Sequence, residues 1–251
     1  VGAGQYGYEN TATTTQTGGE LNGATTSQTG NENTATIAQS GGEWNLAGAS
    51  QYGDSNSVTT TQSGMWGVIN STQIGDGNIV TSDQQESGKS VTAMQIGDNN
   101  TLETVQHAVN NGRSVTVDAT QEGNRNSAKT DQAFVSDNLI TLNQNGDDNT
   151  VFVSQKQSAG DVADITQEGN SNLADVFQET VGQNKAKATV VTTGDNNTVE
   201  IDQINTESSR ASATQTGNGN ESVIAQGWGL IPSASTRLVA TTEQNGNGHN
   251  A

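Results

Sequence analysis

Apolar and polar residues alternate along this chain in short segments that recur every 22 or 23 residues over most of its length. The residue four positions before a recurring Gln is always apolar, as at Ile69 and Val117, and the residue three positions before it is never a hydrophobe, as at Thr25. Because successive side chains of a strand point to opposite faces, this reversal at a shift of one residue predicts half-buried β-strands. A second segment follows each copy, and its inward positions, such as Val58, are also mostly apolar.

The recurring unit is Gln-x-Gly-x-x-Asn, with a second Gln six positions after the Asn. The first Gln is found at Gln5, Gln28, Gln51, Gln73, Gln95, Gln121, Gln144, Gln167, Gln215 and Gln244. The Asn is found at Asn10, Asn33, Asn56, Asn78, Asn100, Asn126, Asn149, Asn172, Asn197 and Asn220. The second Gln is found at Gln16, Gln39, Gln62, Gln84, Gln106, Gln132, Gln155, Gln178, Gln203 and Gln226. The turn Gly is found at Gly7, Gly30, Gly53, Gly75, Gly97, Gly123, Gly146, Gly169, Gly194, Gly217 and Gly246.

Two copies depart from this unit, since Thr192 replaces a first Gln and His249 replaces an Asn. We expect a single repeat domain over residues 1–251, with repeats that start near each first Gln and near Thr192. The pattern predicts an all-β solenoid of about eleven strand-turn-strand rungs, stacked in an amyloid-type cross-β arrangement. At about 4.8 Å per rung the column would be about 50 Å long.

The Gln and Asn residues share the inward parity of the apolar residues. A lone buried amide is costly, but stacked identical amides can bond from rung to rung and form a ladder along the axis. The alternative is that they are ordinary polar surface residues, which would not be expected to keep parity and spacing through so many copies. The constant Gly permits a tight reversal between the two strands.

The composition separates this chain from ordinary globular proteins and from disordered ones. Only 29% of residues are hydrophobic, which is typical of disorder, but Pro232 is the only proline, which fits a chain that hydrogen-bonds almost throughout. The net charge of −18 argues against nucleic acid and anionic membranes as partners. There is no cysteine, and no apolar run is long enough to span a membrane. Because the chain starts at Val1 without Met, we expect a mature, processed form.

The full pattern Gln-x-Gly-x-x-Asn-x-Ala-x-x-x-Gln resembles the curlin repeat of bacterial curli subunits. It is complete from Gln5 to Gln16, from Gln28 to Gln39, from Gln121 to Gln132 and from Gln167 to Gln178. The resemblance implies a secreted amyloid subunit of the biofilm matrix, exported unfolded through an outer-membrane pore and polymerised at the cell surface on a nucleator. The chain has more repeats than the best-known curlins.

A second departure concerns the Ser that opens the curlin repeat six positions before the first Gln. Only Ser209 keeps it, while Asn22, Asn45 and Asn138 replace it elsewhere. Whether the chain is a major or a minor subunit stays open.

Other candidate chemistry is weaker. A calcium site would use the acids that follow the turn Gly, which are Asp76, Asp98, Asp147, Asp148 and Asp195. The nine-residue calcium repeat is absent, so we expect turn-forming and solubilising roles instead. His107 and His249 have no triad context, and we expect surface roles for both. Outward threonines such as Thr59 are typical of ice-binding solenoids, but later repeats do not sustain them.

Trp44, Trp66 and Trp228 lie in the second turns, where they are either sugar-binding platforms or aromatics that pack on their own loops.

We expect no catalytic, cofactor or metal residues, and no enzyme activity. The expected function is that of a structural subunit that assembles head-to-tail into an extracellular fibre for matrix formation, adhesion and aggregation. Its partners would be itself, a nucleator and a secretion pore, without membrane insertion. The alternative is a monomeric secreted adhesin or binding module.

The fibre hypothesis and the monomer hypothesis predict different ends of the solenoid. A monomeric solenoid needs caps, and the sequence predicts a cap at neither end. We expect a short strand from Val1 to Gln5 and a last strand from Arg237 to Gln244, which together would form a head-to-tail joint. The excursion at 227–236 contains Trp228 and Pro232, and we expect it to fold back over that joint.

Overall fold

Alternation of inward and outward residues produces strands along the whole of the computed structural model, which describes residues 1–107, 114–179, 185–206, 208–227 and 238–251. No helix is present among these residues. The strands are β1 Gly2–Tyr6, β2 Thr11–Thr17, β3 Gly23–Thr29, β4 Thr34–Ser40, β5 Leu46–Tyr52, β6 Ser57–Ser63, β7 Val68–Ile74, β8 Ile79–Gln85, β9 Lys89–Ile96, β10 Thr101–His107, β11 Val115–Glu122, β12 Ser127–Ala133, β13 Leu139–Asn145, β14 Thr150–Lys156, β15 Val162–Glu168, β16 Leu173–Glu179, β17 Lys187–Thr193, β18 Thr198–Ile204, β19 Arg210–Thr216, β20 Glu221–Gln226 and β21 Val239–Asn245.

The strands form two parallel sheets, because each repeat places one strand in each. The odd sheet contains β1, β3 and every further odd-numbered strand to β21, and the even sheet contains β2 to β20. Each strand pairs with the strand of the same kind in the next repeat, and identical repeat positions are in register. Gln28 is paired with Gln51 in the odd sheet, and Gln39 is paired with Gln62 in the even sheet. We call an odd strand and the even strand that follows it a rung.

The prediction of an all-β stacked solenoid is confirmed. The expected count of about eleven rungs is slightly too high, because ten rungs have both strands and β21 is the first strand of a further rung. After β21, Asn250 makes one isolated bridge to Glu221. The terminal strands also differ from expectation, since β1 begins at Gly2 and β21 at Val239. Arg237, Trp228 and Pro232, with most of the predicted fold-back over the joint, lie outside the described residues.

The longer repeats do not disturb the register. The steps of 26, 25 and 29 residues all place their extra residues between an even strand and the next odd strand. Gln95 therefore still faces Gln121 across the longest of the first nine steps. Extra residues are tolerated in this second turn because the hydrogen-bonded rows are fixed by the strands.

The core is a narrow stripe between the two sheets. Its inward positions hold small aliphatic residues, and most of them are fully buried. At the centre of the stripe, rung 7 contributes Leu142 and Val153, whereas rung 4 contributes Ser71 and Ser82. The Ser82 hydroxyl accepts a hydrogen bond of 3.0 Å from Thr104 in the next rung. The core is therefore aliphatic in the later rungs and partly hydroxyl-lined in the earlier ones.

The first turn, between the strands of one rung, depends on its constant glycine. All eleven turn glycines have φ between 106° and 127°, which L-residues rarely adopt. The stack adds a second reason, because a Cβ on Gly53 would collide with the carbonyl oxygen of Gly75 in the rung above. Conformation and close stacking thus both exclude a side chain at this position.

Candidate functional site: side-chain ladders and sheet edges

The two rows of inward glutamines form hydrogen-bonded ladders along the solenoid. In the odd sheet, Gln121 Nε2 donates to Gln144 Oε1 at 2.8 Å, and Gln144 Nε2 donates to Gln167 Oε1 at 3.1 Å. In the even sheet, an unbroken series runs from Gln16 to Gln226. Most of these side chains are fully buried, so each hydrogen bond between two amides replaces a hydrogen bond to water that is lost on burial.

These glutamines also hold the two sheets together. The second hydrogen of many of the amides reaches a backbone carbonyl of the opposite sheet, as in the bond of 3.0 Å from Gln51 Nε2 to Thr34 O. Each such Gln thus connects three strands, two along the axis and one across the core. A buried polar residue with all of its groups paired is compatible with a core of this low hydrophobicity.

The inward asparagines make a ladder of a different kind at the first turn. Asn56 Oδ1 accepts from both the backbone N–H and the Nδ2 of Asn78, at 3.0 and 3.1 Å. Asn78 Nδ2 then donates to the carbonyl oxygen of Gly97 at 2.7 Å. The same three bonds recur along most of the row, and at the replaced position the backbone N–H of His249 still donates to Asn220 Oδ1. The Asn78 side chain therefore binds two backbone groups of the next rung, the carbonyl oxygen of Gly97 and the N–H of Asn100.

A fourth row of side chains, which the sequence prediction missed, lies in the first turn. The residue after the turn Gly is Asx in every copy from the second onward, namely Asn31, Asp54, Asp76, Asp98, Asn124, Asp147, Asn170, Asp195, Asn218 and Asn247. Each Oδ1 accepts the backbone N–H of the preceding member, as in the bond of 2.7 Å from Asp54 N to Asp76 Oδ1. The signal was present as a column in which Asp and Asn are interchangeable, because both offer the same acceptor oxygen.

This row explains most of the acids that were considered for calcium. Asp76, Asp98, Asp147 and Asp195 use Oδ1 as backbone acceptors, and Asp148 makes a bidentate pair with Arg125 of the rung below, with both distances 2.7 Å. The Arg125 guanidinium lowers the pKa of the Asp148 carboxyl. Among the described residues, no group of three or more His, Cys, Asp or Glu side chains is arranged to hold a metal ion.

The position six residues before the first Gln is inward and buried at the second turn. Asn45 occupies it in rung 3, and its Oδ1 accepts the backbone N–H of Gly67 at 2.9 Å. Ser209 stands at the same position and plays the same part, because its Oγ accepts the backbone N–H of Leu238 at 3.2 Å. In rung 5 the position holds Lys89, which is 1% exposed and donates from Nζ to the carbonyl oxygen of Gln106 at 2.7 Å. Burial lowers the pKa of Lys89 to about 8, opposed by the charges of Glu86 and Asp83.

The odd-sheet ladder is interrupted at Thr192. Thr192 faces Gln167 on one side and Gln215 on the other, but its side chain is too short to bond either amide. The Oε1 of Gln215 and the Oγ1 of Thr192 are both buried without a hydrogen-bond partner in the described part of the chain. The replacement seen in the sequence is therefore a local defect in an otherwise regular row.

The remaining aromatic and histidine candidates lie on the surface. Trp44 and Trp66 stack on each other at 5.4 Å between ring centroids, with the planes 7° apart, and both are partly exposed. His107 Nε2 lies 3.8 Å from Asp83 Oδ2. The third tryptophan, Trp228, lies outside the described residues.

No helix in the described part of the chain is long and apolar enough to cross a membrane.

The two ends of the solenoid expose unpaired strand edges. At one end, all five residues of β1 are exposed, whereas the inward residues of an internal strand such as β11 are buried. At the other end, β21 pairs with β19 alone among the described strands, and most of its residues are exposed or half-buried. Such edges present rows of backbone N–H and C=O groups to any strand that can pair with them.

Comparison with known protein families gives one finding. The model of the curlin associated repeat matches residues 112–156 and again residues 162–204. These two segments cover rungs 6 to 9, which contain the even-sheet ladder, the turn glycines and much of the aliphatic core, together with the interruption of the odd-sheet ladder at Thr192. A search of curated proteins finds no match to the chain.

Proposed function

We propose that this chain, in which two segments match the curlin associated repeat, is the structural subunit of a curli-like extracellular fibre, in which copies stack head-to-tail and continue both sheets. The observation that supports this most directly is that the rows of identical side chains run to the edge strands. Gln5 is the first donor of the odd-sheet ladder, and Gln244 is its last acceptor. A second copy that places its Gln5 over Gln244 would extend the row with the bond already used inside the molecule.

Stacking of this kind would give a cross-β fibre with an axial repeat of about 4.7–4.8 Å. The role in matrix formation, adhesion and aggregation is the one that the resemblance to curlin repeats implies, and the two segments that match the curlin associated repeat support it. By the same reasoning, we expect export through an outer-membrane pore and growth on a nucleator. A repeat solenoid of small side chains and ladders is typical of structural proteins, and we assign the chain no catalytic role.

The test places charges on the outer edge strands. Ala3 in β1 and Ala12 in β2 have the inward parity, but lie at the edge, where they are not fully buried. Lys at both positions can reach solvent in the single molecule and would be buried as soon as another copy stacks on it. We expect the unsubstituted protein to form fibres with the axial reflection above, and Ala3→Lys/Ala12→Lys to elongate about tenfold more slowly or worse.

The matched control is Gly4→Lys/Thr13→Lys, which adds the same charge to the same strands on the outward side. It should elongate at nearly the unsubstituted rate. Protein that stays monomeric by light scattering over days at high concentration and physiological salt would contradict the proposed fibre and favour the alternative of a monomeric binding module. Equal slowing by both double variants would place the joint elsewhere than on these edges.

A further inference from the structure

The outward side of the first five odd strands combines an absence of charge, which β2, β4 and β6 share, with exposed large side chains, which those three strands lack. The outward residues of β1, β3, β5, β7 and β9, which we call the neutral face, include no Asp, Glu, Lys or Arg. They include instead several exposed large side chains, among them Tyr6 at 79%, Leu46 at 52%, Tyr52 at 46% and Ile74 at 41% exposure. In a chain with only 29% hydrophobic residues, such a grouping points to an interaction surface.

Most other outer surfaces would repel a copy of themselves. From β8 onward the outer side of the even sheet bears eight acidic residues, most densely at Asp175, Glu200 and Asp202 on two neighbouring rungs, against the bases Lys129 and Lys156. Burial raises the pKa of Asp175 and that of Asp202, and the neighbouring Asp202 adds to the effect on Asp175. Two such surfaces brought together would place like charges at short range, where salt screens them least.

The neutral face has a shape that suits a second copy. Tyr52 and Ile74 belong to one row of larger side chains along the axis, and Leu46 belongs to a second row near the opposite end of the strands. Between the rows lie small residues such as Gly48 and Ser50. The rows are about 20 Å apart along the strand, so a row from another copy has room to pack against the small residues.

The area of the neutral face determines whether single molecules or only stacked columns can associate through it. Five strands about 4.8 Å apart and about 20 Å long cover about 500 Å² on each copy, or about 1,000 Å² for a pair. That is the lower limit for a specific protein interface, so two single molecules would associate weakly. In a column of stacked copies, however, every subunit presents the same face at a fixed repeat, and the contacts act together.

From these observations we infer that the occupant of the neutral face is a second copy of this chain in a neighbouring column, so that two columns pair laterally with their odd sheets about 10 Å apart. This inference rests on the proposed fibre. The inference also implies that elongation precedes lateral pairing. A column must contain several stacked copies before enough weak lateral contacts act together to make pairing stable.

The experiment compares the mass per unit length of fibres by scanning transmission electron microscopy. Fibres of the unsubstituted chain should have twice the value of a single column. Asn70→Asp/Thr92→Asp adds two negative charges to exposed positions of the neutral face on neighbouring strands, and should halve the mass per length. The matched control, Thr59→Asp/Thr81→Asp, adds the same charges to exposed positions of the even sheet and should leave it unchanged.

A further variant tests the apolar contribution without a charge. Tyr52→Thr/Ile74→Thr uses a residue already present at this repeat position in β3, as Thr29, and it should also give single columns. If the Asp variant of the neutral face forms no fibres, this pair decides the question. Absence of fibres from the unsubstituted chain would refute the fibre itself, whereas fibres of single-column mass refute only the pairing.

Two other results would reassign the contact. Halving by Thr59→Asp/Thr81→Asp alone would place lateral pairing on the even sheet. Single columns that sediment with insoluble polysaccharide, and lose this property only in Tyr52→Thr/Ile74→Thr, would assign the neutral face to a glycan. Either result overturns pairing through the odd sheet.

Discussion

Replacing Thr192 by Gln should repair the single interruption of the odd-sheet ladder and stabilise the protein. Thr192 stands in register between Gln167 and Gln215, as every other first Gln stands between its neighbours. A Gln there would accept from Gln167 Nε2 and donate to Gln215 Oε1, which is buried without a partner. Because all three side chains would follow the row geometry, no change of backbone is required.

The expected gain follows from the bonds formed and the freedom lost. Two new hydrogen bonds between side-chain amides contribute about 1 kcal/mol each, and pairing the buried Gln215 Oε1 removes a penalty of about 1–3 kcal/mol. The substitution also removes the unpartnered Thr192 hydroxyl from the core. Fixing the longer side chain costs about 2 kcal/mol in rotamer entropy. The net stabilisation should therefore be about 1–3 kcal/mol.

Hydrogen exchange is the suitable assay, because a repeat protein opens locally and a single unfolding free energy is not well defined for it. At low salt, before fibres form, amides of β15, β17 and β19 that exchange by local opening should be protected about 5- to 150-fold more in Thr192→Gln than in the unsubstituted chain. Thr193→Gln introduces the same side chain at the adjacent exposed position and should change protection little. Unchanged or reduced protection in Thr192→Gln, or an equal gain in Thr193→Gln, would refute the assignment of bond energy to the ladder.

Two further predictions concern the ladder and the buried lysine. Gln144→Leu should lower the free energy of local opening of β11, β13 and β15, measured by hydrogen exchange, by about 1–3 kcal/mol, because it leaves buried neighbouring amides unpaired. Asn143→Leu on the exposed side should change it by about 0.5 kcal/mol or less, and equal losses would mean that the inward amides have no special role. For Lys89, the pKa falls from 10.5 to about 8 in the folded chain, so the unfolded chain holds the additional proton between these values. Stability should therefore rise as the pH is increased from about 8 to about 10.5. This rise should disappear in Lys89→Met and persist in Lys187→Met, which changes an exposed lysine; a rise of the same size in both variants would contradict the effect of burial.

Lys89 also shows where the repeat pattern has no predictive power. The sequence places it six positions before Gln95, in the column where Asn22, Asn45 and Asn138 stand. That column was recognised only as a departure from the curlin Ser. Lys89 is the first residue of β9 and has the inward parity of Gln95, but parity does not show that the carbonyl oxygen of Gln106 lies within reach of its ammonium group. A cation inside the solenoid was therefore not expected.

The sequence by itself determined everything that follows from period two and a fixed repeat. It predicted the strands, the inward face, the rows of Gln and Asn and the turn glycines, because a half-buried strand tolerates no shift of register and a stack repeats each position. It also indicated Thr192 as an irregular copy.

Only the tertiary structure decided how those rows bond. It shows that the Gln ladders connect the two sheets, and that Asn56 serves as an acceptor for the rung above. It also shows that Asp76 belongs to a backbone-bonded turn row, and that Arg125 pairs with Asp148. The physical reason is that donor direction and cross-sheet contacts depend on the spacing and offset of the strands in three dimensions, and two side chains of the same type and parity can bond quite different partners.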